Sequence, residues 1–293
     1  MKRIDDVFDK FAKDILVRDS PLMIQSLNAL DNLLLNKKNF SSSFTFESGS
    51  SMKGTAVKGY SDLDLFAVIK KEQACCPAKC LNQLKYIISA QYPNTIIELE
   101  VPAVVLQFKT RKKVEVVPCF INGEISTNTG KYMAYYIPDG LCKWKFSNPI
   151  MYYFYLNQRD KELFGRLKRL IRLIKVWKYN HRIPLSSFYL EVFVTDYASK
   201  LPKIIYSLDL KYLFEKLACS ELLPIHNLLG IDVNINPFTD KRVTNVFTKE
   251  ERTIIKACKS YAKDALDFED RKKETDTVRE WRKVFNNKGF TIK

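Results

Sequence analysis

The sequence predicts an α+β fold, with a mixed β-sheet core in the first half, a helical bundle in the second and a cleft between them. Three observations carry this. Short runs rich in β-branched and aromatic residues, bounded by turn formers, crowd residues 44–120. Long amphipathic patterns replace them from about Asn148 onward. Of the 293 residues 46% are apolar, enough to bury a substantial core.

Taken in order, Ile4, Val7, Phe8, Phe11, Ile15 and Leu16 recur at helical spacing, and Met23, Leu27, Leu30 and Leu34 do so again after "RDSP". The segments "FTF", "DLDLFAVI", "TIIELEV", "AVVLQFKT" and "KVEVVPCF" read as strands, with a helix over 79–92 between the second and third. Later, "YFYLNQRDKELFGRLKRLIRLIKVWKYN", "SSFYLEVFVTDYASK", "TKEERTIIKACKSYAKDAL" and "REWRKVF" read as helices. No internal repeat, low-complexity tract or flexible linker interrupts the chain. The expected division is a catalytic core over 1–147, whose N-terminal helices can also pack on the second half, and a helical domain over 148–293.

Lys and Arg total 48 against 33 Asp and Glu, a formal charge of +15. Such a field attracts polyanions, nucleotides or acidic surfaces, although solvated lysine-rich faces give the same total. No apolar run reaches the roughly 18 residues of a membrane span. The N-terminus carries acids at helical spacing where a signal peptide would be continuously apolar. A cytoplasmic protein without membrane partners is expected. Seven cysteines, an odd number without framework spacing, read as reduced thiols. Cys75, Cys76 and Cys80 in "CCPAKC" could join a zinc site, but no fourth ligand is nearby in sequence, and a turn with buried thiols is the other reading.

The chemistry concentrates in "ESGSSMKGTAVKGYSDLDLF", residues 47–66. Alternate residues of a strand face the same way, so Asp62 and Asp64 project together while Leu63 and Leu65 enter the core. Paired hard oxygen ligands suit Mg²⁺ or Mn²⁺; a solvated strand edge is the alternative. Glu115, set among hydrophobes in "KVEVVP", can complete such a site if its strand neighbours the first, or can simply face outward. Gly49 permits a tight backbone approach, and the Ser50 hydroxyl with following amides can hold a phosphate, with Lys53 and Lys58 adding charge; alone, the turn is also a hairpin loop. Together, strand, Gly-Ser, a short helix and Asp-x-Asp set a phosphate cradle beside a metal pair, as two-metal phosphoryl transfer requires.

These residues resemble the polymerase-beta-like nucleotidyltransferases, whose motif is Gly-Ser, a spacer, Asp-x-Asp and a later third acid: here Gly49, Ser50, Asp62, Asp64 and Glu115. The fuller string "GSSMKGTAVKGYSDLDL" looks most like the branch holding cyclic GMP-AMP synthase, oligoadenylate synthases and the bacterial CD-NTases. "RLKRLIRLIKVWK", "PLSSFYLEV", "NPFTDKRVTNVFTKEERTIIKACKSYAKDAL" and "WRKVFNNKGF" look like the helical half of the CD-NTases. The resemblance matches Lys175 and Ser187 to residues that hold the donor triphosphate, and Phe188 to an aromatic that stacks on a base. On the same helix, Lys168, Arg172 and Lys175 form a basic stripe beside Leu163, Leu167, Leu170, Ile174 and Trp177; a solvated helix face is its other reading. The third acid is Glu where many relatives have Asp. No zinc-containing insertion for gripping duplex DNA is present.

The resemblance implies an enzyme that takes nucleoside triphosphates as substrates, releases pyrophosphate and closes a cyclic dinucleotide with 3′-5′ links. Two Mg²⁺ or Mn²⁺ ions would serve it, both bound by Asp62 and Asp64 and one by Glu115. It further implies antiphage (CBASS) signalling through a downstream effector, with no obligatory duplex DNA or RNA and a monomeric or weakly oligomeric state. Two alternatives stand beside it: template-independent extension of RNA or a linear oligonucleotide, and an inactive nucleotide- or RNA-binding scaffold.

Overall fold

The computed structural model describes residues 2–17, 21–36, 42–60, 62–74, 76–108, 113–127, 130–219, 222–228, 231–235 and 247–291. Two compact units form, one of residues 17–155 and one of residues 1–16 with 156–293. The boundary between the units falls within α5 (Pro149–Glu162), and α1 (Lys2–Asp14) groups with the C-terminal helices.

In the first unit β1 (Ser42–Ser48), β2 (Leu63–Ile69), β3 (Ile96–Glu100), β4 (Ala103–Gln107) and β5 (Lys113–Thr127) form a sheet in the order β1-β2-β5-β4-β3. It continues from β5 into β6 (Gly130–Asp139) and β7 (Lys143–Ser147). All pairs are antiparallel except β2 with β5. Parallel neighbours need a long crossover. Here it carries α4 (Pro77–Gln91) and the β3–β4 hairpin. Pro77 starts α4, where its missing N–H costs nothing, and Cys80, Leu81, Leu84, Ile87 and Ile88 make its buried face.

Alternation along β2 and β5 builds two cores. Leu63, Leu65, Val114 and Val116 pack under α4 and α2 (Pro21–Asn36), against Leu81, Leu84 and Leu30. Phe66, Val68, Val117 and Cys119 face the other way, with Val105, Tyr135 and Ile137. Asp64 and Glu115 lie on this second face, one step beyond Phe66 and Val117. The hairpin of β6 and β7 is absent from the sequence-predicted strands. Its signal was the pair Asp139-Gly140, with Gly140 at φ 72° closing the turn where Asp139 pairs with Lys143.

The second unit holds α1, α6 (Leu167–Asn180), α7 (Ser187–Ala198), α8 (Tyr206–Cys219), α9 (Lys249–Asp270) and α10 (Glu274–Phe285). A small hairpin of β8 (Ile225–Leu228) and β9 (Ile231–Ile235), also absent from the sequence prediction, joins them. The amphipathic run 153–180 is not one helix. It breaks at Phe164 and Gly165, whose φ values of 55° and 74° end α5 and let α6 start anew. Thr248 and Glu251 close a capping box on α9. Rings of Tyr206, Trp281 and Phe290 lie 5.6, 5.1 and 4.9 Å from that of Phe8, so residues far apart in sequence share one aromatic core. Part of the predicted "NPFTDKRVTNVF" segment, 236–246, lies outside the described residues.

Candidate active site

Register fixes the acidic set. In the parallel β2–β5 pair Asp64 stands directly beside Glu115, and β4 places the buried Val105 on the other side of Glu115. Asp62 precedes β2 on the same face, and its carboxylate accepts from the backbone N–H of Lys113. The Lys113 ammonium lies 3.4 Å from Glu100 Oε1, which adds a fourth acid at the rim. The condition stated from sequence, that the strand of Glu115 neighbour that of Asp64, is met.

Gly49 is tied to this set. The last residue of β1, Ser48, pairs with Asp64, and the chain then turns into the single helical turn α3 (Gly49–Met52). Gly49 has φ +68°, and a Cβ there would fall onto the Asp64 carboxylate. Only glycine meets both demands. Ser50 follows at once, and its carbonyl accepts from the Thr55 N–H at 2.9 Å, closing the loop toward β2. Lys53 is 8% exposed with its ammonium 5.1 Å from the Tyr152 ring centre, so its charge faces an aromatic ring.

Crowding sets the protonation. The Glu115 carboxyl is raised from an ordinary 4.5 to about 7, first by burial and then by Asp64, Asp62 and Glu100, with Lys113 partly offsetting them. Asp62 is also raised by burial, against the pull of Lys113. A cation would relieve this repulsion, and an all-carboxylate donor set fits a hard divalent ion such as Mg²⁺. Among the described residues no three His, Cys, Asp or Glu side chains form a ready-made cage. The residues fit such an ion in donor chemistry, with Asp62 accepting from the Lys113 amide and Asp64 lying over Gly49.

In the helical unit two lysines of α6 have different partners. Lys175 is 1% exposed and ion-paired with Glu191 at 2.7 Å, so its ammonium is sealed inside the unit. Of the stripe it belonged to, Arg172 is also buried and donates to the Ala12 carbonyl at 3.0 Å, whereas Lys168 is half-buried and bonds the Asn157 side chain. Lys178, one turn along α6, is the lysine beside Ser187, donating to its Oγ at 2.9 Å. Tyr179 OH reaches the same oxygen at 2.8 Å. Desolvation, with Lys175 nearby, lowers Lys178 to about 8. Phe188, in the first turn of α7, is 40% exposed. Lys178 lies in "KVWKY", where both lysines share one helical face and both are buried, so that only their partners, Glu191 and Ser187, separate them.

Cys80 is buried and its thiol lies 3.5 Å from the Gln73 carbonyl, whereas Cys76 Sγ lies 3.7 Å from the carbonyl of Leu141. Cys75 lies outside the described residues. No helix among the described residues is long and apolar enough to cross a membrane.

Comparison with known proteins adds the family. Residues 1–159 match the Second Messenger Oligonucleotide or Dinucleotide Synthetase (SMODS) domain. A probable cyclic nucleotide synthase of Bacillus cereus is 25% identical over 202 residues, covering 68% of this chain and 59% of that protein. The matched region thus spans about three fifths of its relative's length. Among solved structures, Escherichia coli CdnC in complex with HORMA-deltaN superposes with a TM-score of 0.67 at 20% identity, over 98% of both chains. Vibrio cholerae DncV, a cyclic AMP-GMP synthase solved with the linear intermediate pppA(3′,5′)pG, gives 0.62 at 11% identity, over 97% of this chain and 86% of that one. These likenesses show the nucleotidyltransferase fold. With the Gly-Ser turn, the paired acids and the SMODS match over more than half its length, the chain belongs to the bacterial CD-NTase family.

Proposed function

We propose that this protein joins nucleoside triphosphates with release of pyrophosphate and closes the product into a cyclic oligonucleotide, a 3′-5′ linked cyclic dinucleotide being the favoured product. The observation that carries the reading is the alignment of Asp64 with Glu115 across a parallel strand pair, with Gly49 packed against Asp64. Asp62 and Asp64 would hold both divalent ions and Glu115 one of them. When bound, such ions supply charge stabilisation to the transferring phosphoryl group and acidify the attacking hydroxyl.

The chain's own groups do the rest. Glu115, beside Asp64 in the strand register, would also assist deprotonation of the attacking 3′ hydroxyl. Gly49 and Ser50 let the phosphates approach the backbone closely. Lys178, in place of Lys175, and Ser187 offer an ammonium and a hydroxyl to the triphosphate. Phe188 gives a partly exposed ring for a base to stack on. A cytoplasmic role in antiphage (CBASS) signalling, with an effector that reads the product, belongs to the same reading.

The test is purified protein with the four nucleoside triphosphates and Mg²⁺ or Mn²⁺, products treated with phosphatase and identified by mass. A small phosphatase-resistant ring is expected, absent when Asp62→Asn and Asp64→Asn are combined. Extension only of added RNA would replace this reading with template-independent transfer. Full activity of the double variant would remove the acids from the site.

A further inference from the structure

Ser187 Oγ has two close neighbours, Lys178 Nζ at 2.9 Å and Tyr179 OH at 2.8 Å. A serine hydroxyl carries one proton and two lone pairs, whereas an ammonium can only donate. Lys178 therefore occupies one lone pair. The pair with Tyr179 can run either way, and acidity decides it: a phenol, with pKa near 10, gives up its proton far more readily than an aliphatic alcohol. Its oxygen is also the poorer acceptor, because its electrons delocalise into the ring. Tyr179 thus occupies the second lone pair. The Lys178 ammonium lies 4.5 Å from the Tyr179 ring centre, which keeps the two donors side by side.

We propose that Tyr179 is a positioning residue for nucleotide binding: by donating to Ser187 it leaves that hydroxyl only a proton to offer, and so directs it at an anionic oxygen of the triphosphate. The proposal rests on the reading of Ser187 as a phosphate contact. A serine in this state can only donate, and its strongest acceptor on a nucleotide is an anionic phosphate oxygen, because a charge-assisted hydrogen bond is stronger than one to a neutral ribose or base oxygen. Two features support the direction. Ser186 caps α7 by accepting from the Tyr189 N–H at 3.2 Å, which sets Ser187 at the positive end of a twelve-residue helix. And Lys175, the other cation of this face, is already neutralised by Glu191, leaving Lys178 to carry the charge toward Ser187.

The experiment is Tyr179→Phe, Ser187→Ala and the double variant, assayed for pyrophosphate release and for the rise in melting temperature caused by ATP. Removing one hydrogen bond should raise KM about three- to ten-fold for Tyr179→Phe, with kcat unchanged. In the Ser187→Ala background the same change should have almost no further effect. Substituting 3-fluorotyrosine at 179, a stronger donor of the same shape, should lower KM. That variant keeps the test open should Tyr179→Phe fold poorly. A wild-type KM for Tyr179→Phe beside an impaired Ser187→Ala overturns the proposal and leaves the phosphate reading standing, as does an equal effect of Tyr179→Phe in both backgrounds. Undiminished ATP binding by Ser187→Ala removes the phosphate reading itself, and this proposal with it.

Discussion

Asp64 meets Glu115 because two strands pair in parallel at a fixed register, whereas Lys178 meets Ser187 because a helix turns back through six residues and a second helix starts against it. In the sheet, backbone hydrogen bonds decide which residues are neighbours, and a slip of one residue would send every side chain to the opposite face. In the helical pair, backbone geometry leaves two lysines on one face, and packing decides between them. Lys175 is enclosed with Glu191 while Lys178 keeps a polar partner at the helix end. A site built on register tolerates no change in backbone shape. One built on packing can be altered by trading partners.

The largest effect should therefore come from the sheet. Gly49→Ala forces a left-handed residue to carry a Cβ, costing about 1–2 kcal/mol, and drives that atom into Asp64. We expect nucleotidyl transfer to fall at least about 100-fold through displacement of the carboxylate. Steady-state rates alongside urea unfolding will show this; a near wild-type rate would break the register argument. Next come the two lysines, which should fail in different ways. Lys175→Met leaves Glu191 charged and buried, for a loss of about 3–5 kcal/mol that adding Glu191→Leu recovers. Lys178→Met should hardly change stability but raise KM for triphosphate at least about ten-fold. Were Lys175→Met the variant with normal stability and raised KM, the triphosphate contact would return to Lys175.

The smallest effect is a pH dependence. Glu115 is raised from 4.5 to about 7 by burial and neighbouring acids, so in that window the native state holds a proton that the unfolded chain releases. Stability in metal-free buffer should accordingly fall as pH rises from about 4.5 to 7, and the fall should flatten in Glu115→Gln. Melting temperatures across the series measure it. A steeper fall in the variant would place the crowding elsewhere.

The same contrast explains what the sequence disclosed. Period-two alternation put Asp62 and Asp64 on one face, and the neighbourhood of Glu115 needed only the adjacency of two strands. The β6–β7 hairpin escaped because its pattern is weak and its clearest mark is one Asp-Gly turn. The break at Phe164 and Gly165 escaped because the apolar periodicity runs on across it. Lys175 was assigned by the resemblance, Lys178 lies three residues on along the same helix face, and no periodicity says which of them a buried glutamate will claim. Tyr179 had no signal at all, since its role depends on the direction of one proton.

Phe8 packing with Tyr206, Trp281 and Phe290 has a consequence for the order of events on the ribosome. The sheet unit is one unbroken length, 17–155, whereas the helical unit is assembled from the sequence segments that precede and follow it. As the chain emerges, the sheet can close and bring Asp64 against Glu115 while α1 still waits for aromatic partners not yet translated. The helical unit, by contrast, gains its central rings only when the last helix arrives. A stalled or truncated chain would then carry Asp64 and Glu115 already in register while the helices of the other unit are unfinished.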